Sequence, residues 1–299
     1  MLDRASSFAH PEVVALLKSK FVPVAIDQAY QRRQKDEEGD FYRKIAGQGP
    51  RNDFSGRTTQ GFYAATNSGE LLFYNNNRNP DRLVNHLKQA LAKAESKPGK
   101  VEPISEEVSP DKRFNPDLPE GGLVLRVHAR VLGGYEEASD EWLKIFQSSL
   151  SRDNLWITSA EHEALVRGEV PEKLQRRIAR YHLVDNTRGE PPMWKPEEIK
   201  SIDLKLKSGV LTGTAELKSA NGEREFKADF YGGIKSENGK ITQFDVVAKG
   251  QFRGHGRYTK NPPPGHFPLG ISFTLADGSN VADEIPPQGS RGWIDGYLR

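Results

Sequence analysis

The densest grouping of chemically able side chains lies near the C-terminal end of the sequence. Phe252-Arg253-Gly254-His255-Gly256-Arg257-Tyr258-Thr259 is followed by the run Pro262–Pro264 and by Gly265-His266. Arginine forks and glycine-exposed N–H groups suit a carboxylate or a phosphate. Arg253, His255, Arg257, Tyr258 and His266 therefore form a candidate anion or ligand site. His255 and His266 could also ligate a metal, with His182 or Asp185 as a third ligand, but their spacing fits no metal motif. No metal and no cofactor is expected. The plainer alternative is a structured surface loop without a ligand, since a long hairpin connection needs Gly and Pro for its turns.

A second dense run, Arg180-Tyr181-His182-Leu183-Val184-Asp185-Asn186-Thr187-Arg188-Gly189-Glu190, leads into Pro191-Pro192-Met193-Trp194. Its side chains can do acid–base or binding work, yet a polar run before two prolines also reads as a connector between a helix and a sheet. Arg176, Arg177 and Arg180 fall at helical spacing and read as a solvated helix face. Glu161-His162-Glu163 reads the same way, because adjacent helix residues point in different directions. Gly47-Gln48-Gly49 lacks the preceding strand and third glycine of a nucleotide-binding loop.

The elements that must position these residues follow from periodicity. Leu123, Leu125, Val127, Ala129 and Val131 alternate with Val124, Arg126, His128 and Arg130, which predicts a strand with one buried face. Helices are predicted at 138–149, 158–167 and 171–181. Ser159-x-x-His162 is not a capping box, which leaves Thr158 as the residue able to cap the second of them. Residues 200–276 are β-rich: Ile202, Leu204 and Leu206 alternate, as do Phe226, Ala228 and Phe230, and Phe244, Val246 and Ala248. Asn221-Gly222 and Asn238-Gly239 are dipeptides that type I′ hairpin turns favour. Residues 121–299 are thus expected to form an α+β domain, a mainly antiparallel meander curling over helices.

Upstream, residues 11–20 read as a helix end and Phe21–Ile26 as a buried strand. A short helix is expected around 38–46, then a hairpin of Thr59–Ala65 and Glu70–Tyr74 turned by Asn67-Ser68-Gly69. Pro80–Lys93 follows as an amphipathic helix capped by Asn79. Residues 95–120, rich in Pro and charge, read as a linker.

Ser7, Phe8, Pro11, Glu12, Val13, Leu16, Leu17, Phe21, Val22, Pro23, Val24 and Asp27 give this N-terminal third a resemblance. It is similar to the stretch that follows the C-x-x-C motif in thioredoxin-like domains of the spermatogenesis-associated-protein type. The resemblance covers residues 1–94 and implies an α/β thioredoxin-like domain without its first strand and without its cysteines. The loop matching the family's cis-proline loop is Arg57–Phe62, where Gln60-Gly61 replaces the usual Thr-Pro. Thr59, Gln60 and Gly61 are then the substrate- or partner-binding residues the resemblance implies. The resulting expectation is a redox-related binding or adaptor module with no thiol of its own. The alternatives are an oxidoreductase whose Cys or selenocysteine motif lies upstream of Met1, or an enzyme acting on a small molecule through the C-terminal domain.

Composition narrows these classes. The chain of 299 residues contains no cysteine, which excludes disulfides, thiolate metal sites and thiol chemistry within it. Lys and Arg number 43 against 41 Asp and Glu, a net charge of +2, so no nucleic-acid footprint is present. No apolar run approaches the roughly 18–20 residues needed to span a bilayer, and no signal-peptide pattern opens the chain. The sequence therefore reads as a cytoplasmic protein with a protein or small-molecule partner, and leaves the oligomeric state open.

Overall fold

A computed structural model describes residues 2–56, 58–96, 111–290 and 293–299. It resolves into two compact units, one of Asp3–Pro116 with Trp293 and one of Asp117–Ser290 and Ile294–Arg299 with Leu2.

The first unit is mainly helical. Its helices are α1 (Leu2–Ala5), α2 (Pro11–Lys20), α3 (Gln28–Gln31) and α4 (Glu37–Gly47); a hairpin of β1 (Phe62–Ala65) and β2 (Leu71–Asn75) leads into α5 (Pro80–Ser96). The Asp36 carboxylate accepts from the Gly39 amide at 2.8 Å and starts α4, with Glu37, Glu38 and Asp40 in its first turn, where the helix dipole favours negative charge. Asn79 starts α5 in the same way, accepting from the Arg82 amide at 2.9 Å. The apolar stripe of α5, Leu83, Val84 and Leu87, packs against Val13 of α2 and, more loosely, Phe62 and Phe73 of the hairpin.

Phe21–Ile26 is not a strand. Phe21 and Asp27 at its ends have extended backbone, but β1 and β2 pair only with each other, so no sheet edge takes the segment in. Phe21 packs inward, while Val22 is 90% and Val24 74% exposed. An apolar run signals a buried strand only where a neighbouring strand exists to bury it. Of residues 95–120, α5 takes Glu95 and Ser96, and 97–110 lie outside the described residues. Asp111 is tied into the first unit: its amide donates to Asp36 at 2.7 Å, and its carboxylate accepts from the Lys35 amide at 2.8 Å.

The second unit is built on a curled, wholly antiparallel sheet of seven strands. They are β3 (Leu123–Val131), β4 (Asp153–Ile157), β5 (Ile199–Lys207), β6 (Val210–Lys218), β7 (Glu225–Glu237), β8 (Lys240–Arg253) and β9 (His266–Leu275). The spatial order is β4-β3-β9-β8-β7-β6-β5. Strands β5 to β9 form the meander, and β3 lies beside its last strand. Alternate residues of the meander, among them Phe226, Phe230, Val246, Phe252, Phe267 and Phe273, fill a single core. Helices α6 (Glu141–Ser148), α7 (Ser159–Val166), α8 (Glu172–Arg177) and α9 (Ile294–Leu298) accompany the sheet. Helix α7 packs against β8, and α8 against β5.

Local chemistry explains the turns. Asn238 and Gly239 both take positive φ, 51° and 76°, as a type I′ hairpin requires. Ser208 and Gly209 do the same at 51° and 77° and join β5 to β6. At Asn221-Gly222 only the glycine has positive φ; the connection is a longer loop in which the Ser219 hydroxyl donates to Asn221 Oδ1 at 2.7 Å and accepts from the Arg224 amide at 2.9 Å.

Two helix-surface expectations are corrected. Thr158 and Glu161 form a full capping box on α7, and Glu161 is buried, paired with Arg177. Arg177 is itself buried rather than solvated, with its Nη1 donating to the Leu298 carbonyl at 3.1 Å. His162 is a bridge: Nδ1 lies 3.0 Å from the Gly121 carbonyl, and Nε2 accepts from the Ile241 amide at 3.0 Å. From α8 and the π-helical turn Ile178–His182 that continues it, Arg177 and His182 turn inward to partners on α7 and the C-terminal helix, while Arg176 stays exposed, paired with Glu172.

Candidate functional site

The loop between β8 and β9 forms one wall system of an open cleft of about 590 Å³, with Arg253–His255 on one side and Lys260–Gly265 on the other. Its shape is fixed from within. The Gly256 amide donates to Thr259 Oγ1 at 2.6 Å, and the Thr259 amide donates back to the Gly256 carbonyl at 3.2 Å. Gly256 is required there by space: a Cβ would stand 2.2 Å from Pro192 Cδ.

The loop is also fixed from below, by the second polar run. Arg188 is completely buried and ion-paired with Asp185, equally buried. Its Nε donates to the Lys260 carbonyl at 3.1 Å and Nη1 to Tyr135 Oη at 2.9 Å. A longer contact of 3.4 Å joins Nη2 to the Thr259 carbonyl. Asp185 in turn accepts from the Thr187 hydroxyl at 2.7 Å. The two segments singled out in the sequence thus meet, one exposed and one buried, and the buried one braces the exposed one. Arg224 adds a second brace: it donates to the Pro192 carbonyl and lies 4.0 Å from the centre of the Trp194 ring. Burial lowers the pKa of its guanidinium from the ordinary arginine value, and Glu198 opposes that.

The cleft is electropositive. Lys260 and His255 are exposed on its walls. Arg253 donates to the Gly222 carbonyl and lies 3.4 Å from Glu225, which His266 Nε2 approaches at 3.5 Å. Partial burial works against the Glu225 carboxylate, but Lys218, His266 and Arg253 outweigh it and hold its pKa below the usual carboxylate range. Glu225 therefore stays charged and offsets part of the positive field at the β9 end, leaving Lys260, which has no acidic partner among the described residues, as the cation on the other wall, across from the exposed His255. Such an arrangement can bind a carboxylate or phosphate, with proline rings offering flat apolar walls beside it.

Of the predicted residues, Arg253 and His255 line the cleft. His266 sits next to its rim on Glu225. Arg257 and Tyr258 do not line it; the guanidinium lies 5.4 Å from the tyrosine ring, and Tyr258 is 58% exposed. Lys260 and Asn261 line it without having stood out in the sequence, where nothing but adjacency to the proline run marks them. The third metal ligand is ruled out by geometry. His182 Nε2 lies 2.6 Å from Tyr297 Oη with Nδ1 3.3 Å from Asp153, while Asp185 is spent on Arg188. Among the described residues no group of three or more His, Asp or Glu could hold a metal.

In the first unit, Thr59 is buried and bonded to Tyr42 Oη at 2.6 Å and to Gln28 Oε1 at 3.0 Å. The Thr59 and Gln60 carbonyls accept from Tyr63 Oη at 2.6 Å and Tyr74 Oη at 3.0 Å. Burial raises the pKa of both Tyr42 and Tyr63, so each stays a neutral donor. At Gly61 a Cβ would meet the Tyr74 ring at 2.2 Å, so the close approach this glycine permits is already used by a tyrosine. No helix among the described residues is long and apolar enough to cross a membrane. Compared with known proteins, the chain matches no family model, no curated protein and no solved structure.

Proposed function

We propose that this chain is a cytoplasmic, thiol-free binding protein whose second unit holds a small organic anion, a carboxylate or phosphate ester, in the cleft beside Lys260. The observation that carries this is the braced β8–β9 loop: a buried Arg188 fixes the backbone that presents Lys260, so the cationic wall is pre-organised before any ligand arrives. The site supplies charge and shape, and ligand binding is the activity we read from it. The first unit enters this reading as a thioredoxin-like adaptor. The order helix, helix, hairpin, helix supports that relation, and the unpaired Phe21–Ile26 segment counts against it. Any thiol or selenol exchange would need a group this chain does not contain.

Titration calorimetry with inorganic phosphate, phenyl phosphate and benzoate tests the cleft. At least one probe should bind, more weakly by tenfold or more in Lys260→Ala and in His255→Ala, and equally well in Arg257→Ala. Absence of binding by all probes, or equal loss in Arg257→Ala, would sink the proposal.

A further inference from the structure

Asn221-Gly222 and Asn238-Gly239 both stand in connections between strands of the second unit, and the fold treats their side chains differently. At Asn221-Gly222 the side-chain amide is held from both ends. Its Oδ1 accepts from the Ser219 hydroxyl at 2.7 Å and from the Glu223 amide at 3.2 Å, and its Nδ2 donates to Glu223 Oε2 at 2.6 Å. The Gly222 N–H is engaged as well, donating to the Ser219 carbonyl at 2.9 Å. At Asn238-Gly239, the tip of the β7–β8 hairpin, both residues are exposed. Among the described residues nothing bonds to the Asn238 side chain or to the peptide that joins it to Gly239. A Cβ at Gly239 would meet no atom within 4 Å, so the space around its nitrogen is open, and glycine adds no side chain of its own to screen it.

We infer that Asn238 is a site of spontaneous covalent modification, deamidation, from which Asn221 is shielded. Asparagine is one of the chemically labile residues, and the reaction needs only the dipeptide and water. The Gly239 nitrogen loses its proton and attacks the side-chain carbonyl carbon of Asn238. The new C–N bond closes a five-membered imide, and the side-chain nitrogen leaves as ammonia, taking up a proton in place of the one lost. Water then adds to one of the two imide carbonyls and breaks its bond to nitrogen, which leaves aspartate or isoaspartate; nothing is oxidised or reduced. At the hairpin tip the peptide can turn toward the side chain without breaking a hydrogen bond, because the last ladder pair is Glu237 with Lys240. At Asn221 the side-chain oxygen, the side-chain nitrogen and the attacking nitrogen each have a partner to give up first, and each such bond has a cost. The product sets a new carboxylate beside Glu237. In its iso form it also lengthens the backbone of a two-residue turn whose outgoing strand is tied to α7 through the Ile241 amide and His162.

Mass spectrometry on the full chain, aged in mildly alkaline buffer, tests the assignment. Trypsin releases the two sites separately, as Ser219–Arg224 and Ser236–Lys240, and exchange of the side-chain amino group for hydroxyl shifts the mass of each. In the folded chain Asn238 should convert at least tenfold faster than Asn221, a barrier difference of about 1.4 kcal/mol, within reach of the bonds that hold Asn221. In concentrated urea the gap should close, because both sites are then the same dipeptide in an unfolded chain. Glu223→Ala, which frees the Asn221 amide nitrogen, should speed that site severalfold in the folded chain and leave Asn238 as it is. An Asn238 that stays intact in the folded chain, an Asn221 that keeps pace with it, or a gap that persists in urea overturns the inference. So does a Glu223→Ala variant whose Asn221 reacts no faster.

Discussion

Replacing Arg188 by alanine tests the idea that a buried ion pair braces the cleft. The guanidinium and the Asp185 carboxylate are both almost wholly out of solvent, and the same guanidinium donates to Tyr135 Oη and to the Lys260 carbonyl. Removing one partner of a buried pair leaves the other charge uncompensated, at a cost of about 3–5 kcal/mol. In a unit of this size, each kcal/mol lowers the midpoint by about 2–4 °C, so Arg188→Ala should melt about 6–20 °C below wild type. Thermal unfolding followed by circular dichroism measures this. The double variant Arg188→Met/Asp185→Leu should recover most of the lost stability, because it buries no lone charge. It should not recover anion affinity, because nothing then holds the Lys260 carbonyl. A fall of less than about 2 °C in the single variant, or full affinity in the double, refutes the reasoning.

Gly256→Ala should force the loop away from Pro192 and cost about 1–3 kcal/mol, with loss of phosphate binding as a second readout. Thr158→Ala removes the hydroxyl half of the α7 capping box and should destabilise the second unit by about 1 kcal/mol in urea titration. Asp283 is held below the usual carboxylate range by its bond to Arg126, helped by Arg152 and opposed by burial. Its folded pKa is depressed, so its contribution is complete above the unfolded value and is lost as pH falls through the folded one. Asp283→Asn should therefore be less stable than wild type at pH 7, and the two should converge as the pH drops below about 4; a constant gap down to pH 2 would argue against this.

The strands of the second unit were legible because one face is buried and the other wet, which writes a period of two into Phe226–Phe230 and Phe244–Ala248. The same signal fails at Phe21–Ile26, because apolarity says that a segment wants a neighbour and not whether one exists. Thr158-x-x-Glu161 carries its capping box openly, one residue out of phase with Ser159-x-x-His162. Glu161 and Arg177 look like surface charges in one dimension because each lies in a run of polar and charged residues; only the ion pair that joins α7 to α8 shows that they neutralise each other inside. The segments 180–190 and 253–266 are both visible as dense polar runs, but their meeting is a long-range contact that no local spacing encodes. Lys260 enters the site for the same reason: its role comes from the carbonyl that Arg188 holds.

The position of β3 between β4 and β9 has a consequence for how the unit is made. Arg126 on β3 bonds to Asp277, 151 residues later, so β3 must wait during synthesis until nearly the whole unit has followed it. The meander β5–β9 can zip locally, hairpin by hairpin, while the closing step joins the most distant parts of the sequence and carries the largest loop-closure entropy. Until it does, β9 presents an open edge. A chain released before that edge is covered is an aggregation hazard, and truncations that remove β9, leaving β3 and β8 without the strand between them, should fail by clumping rather than by simple unfolding.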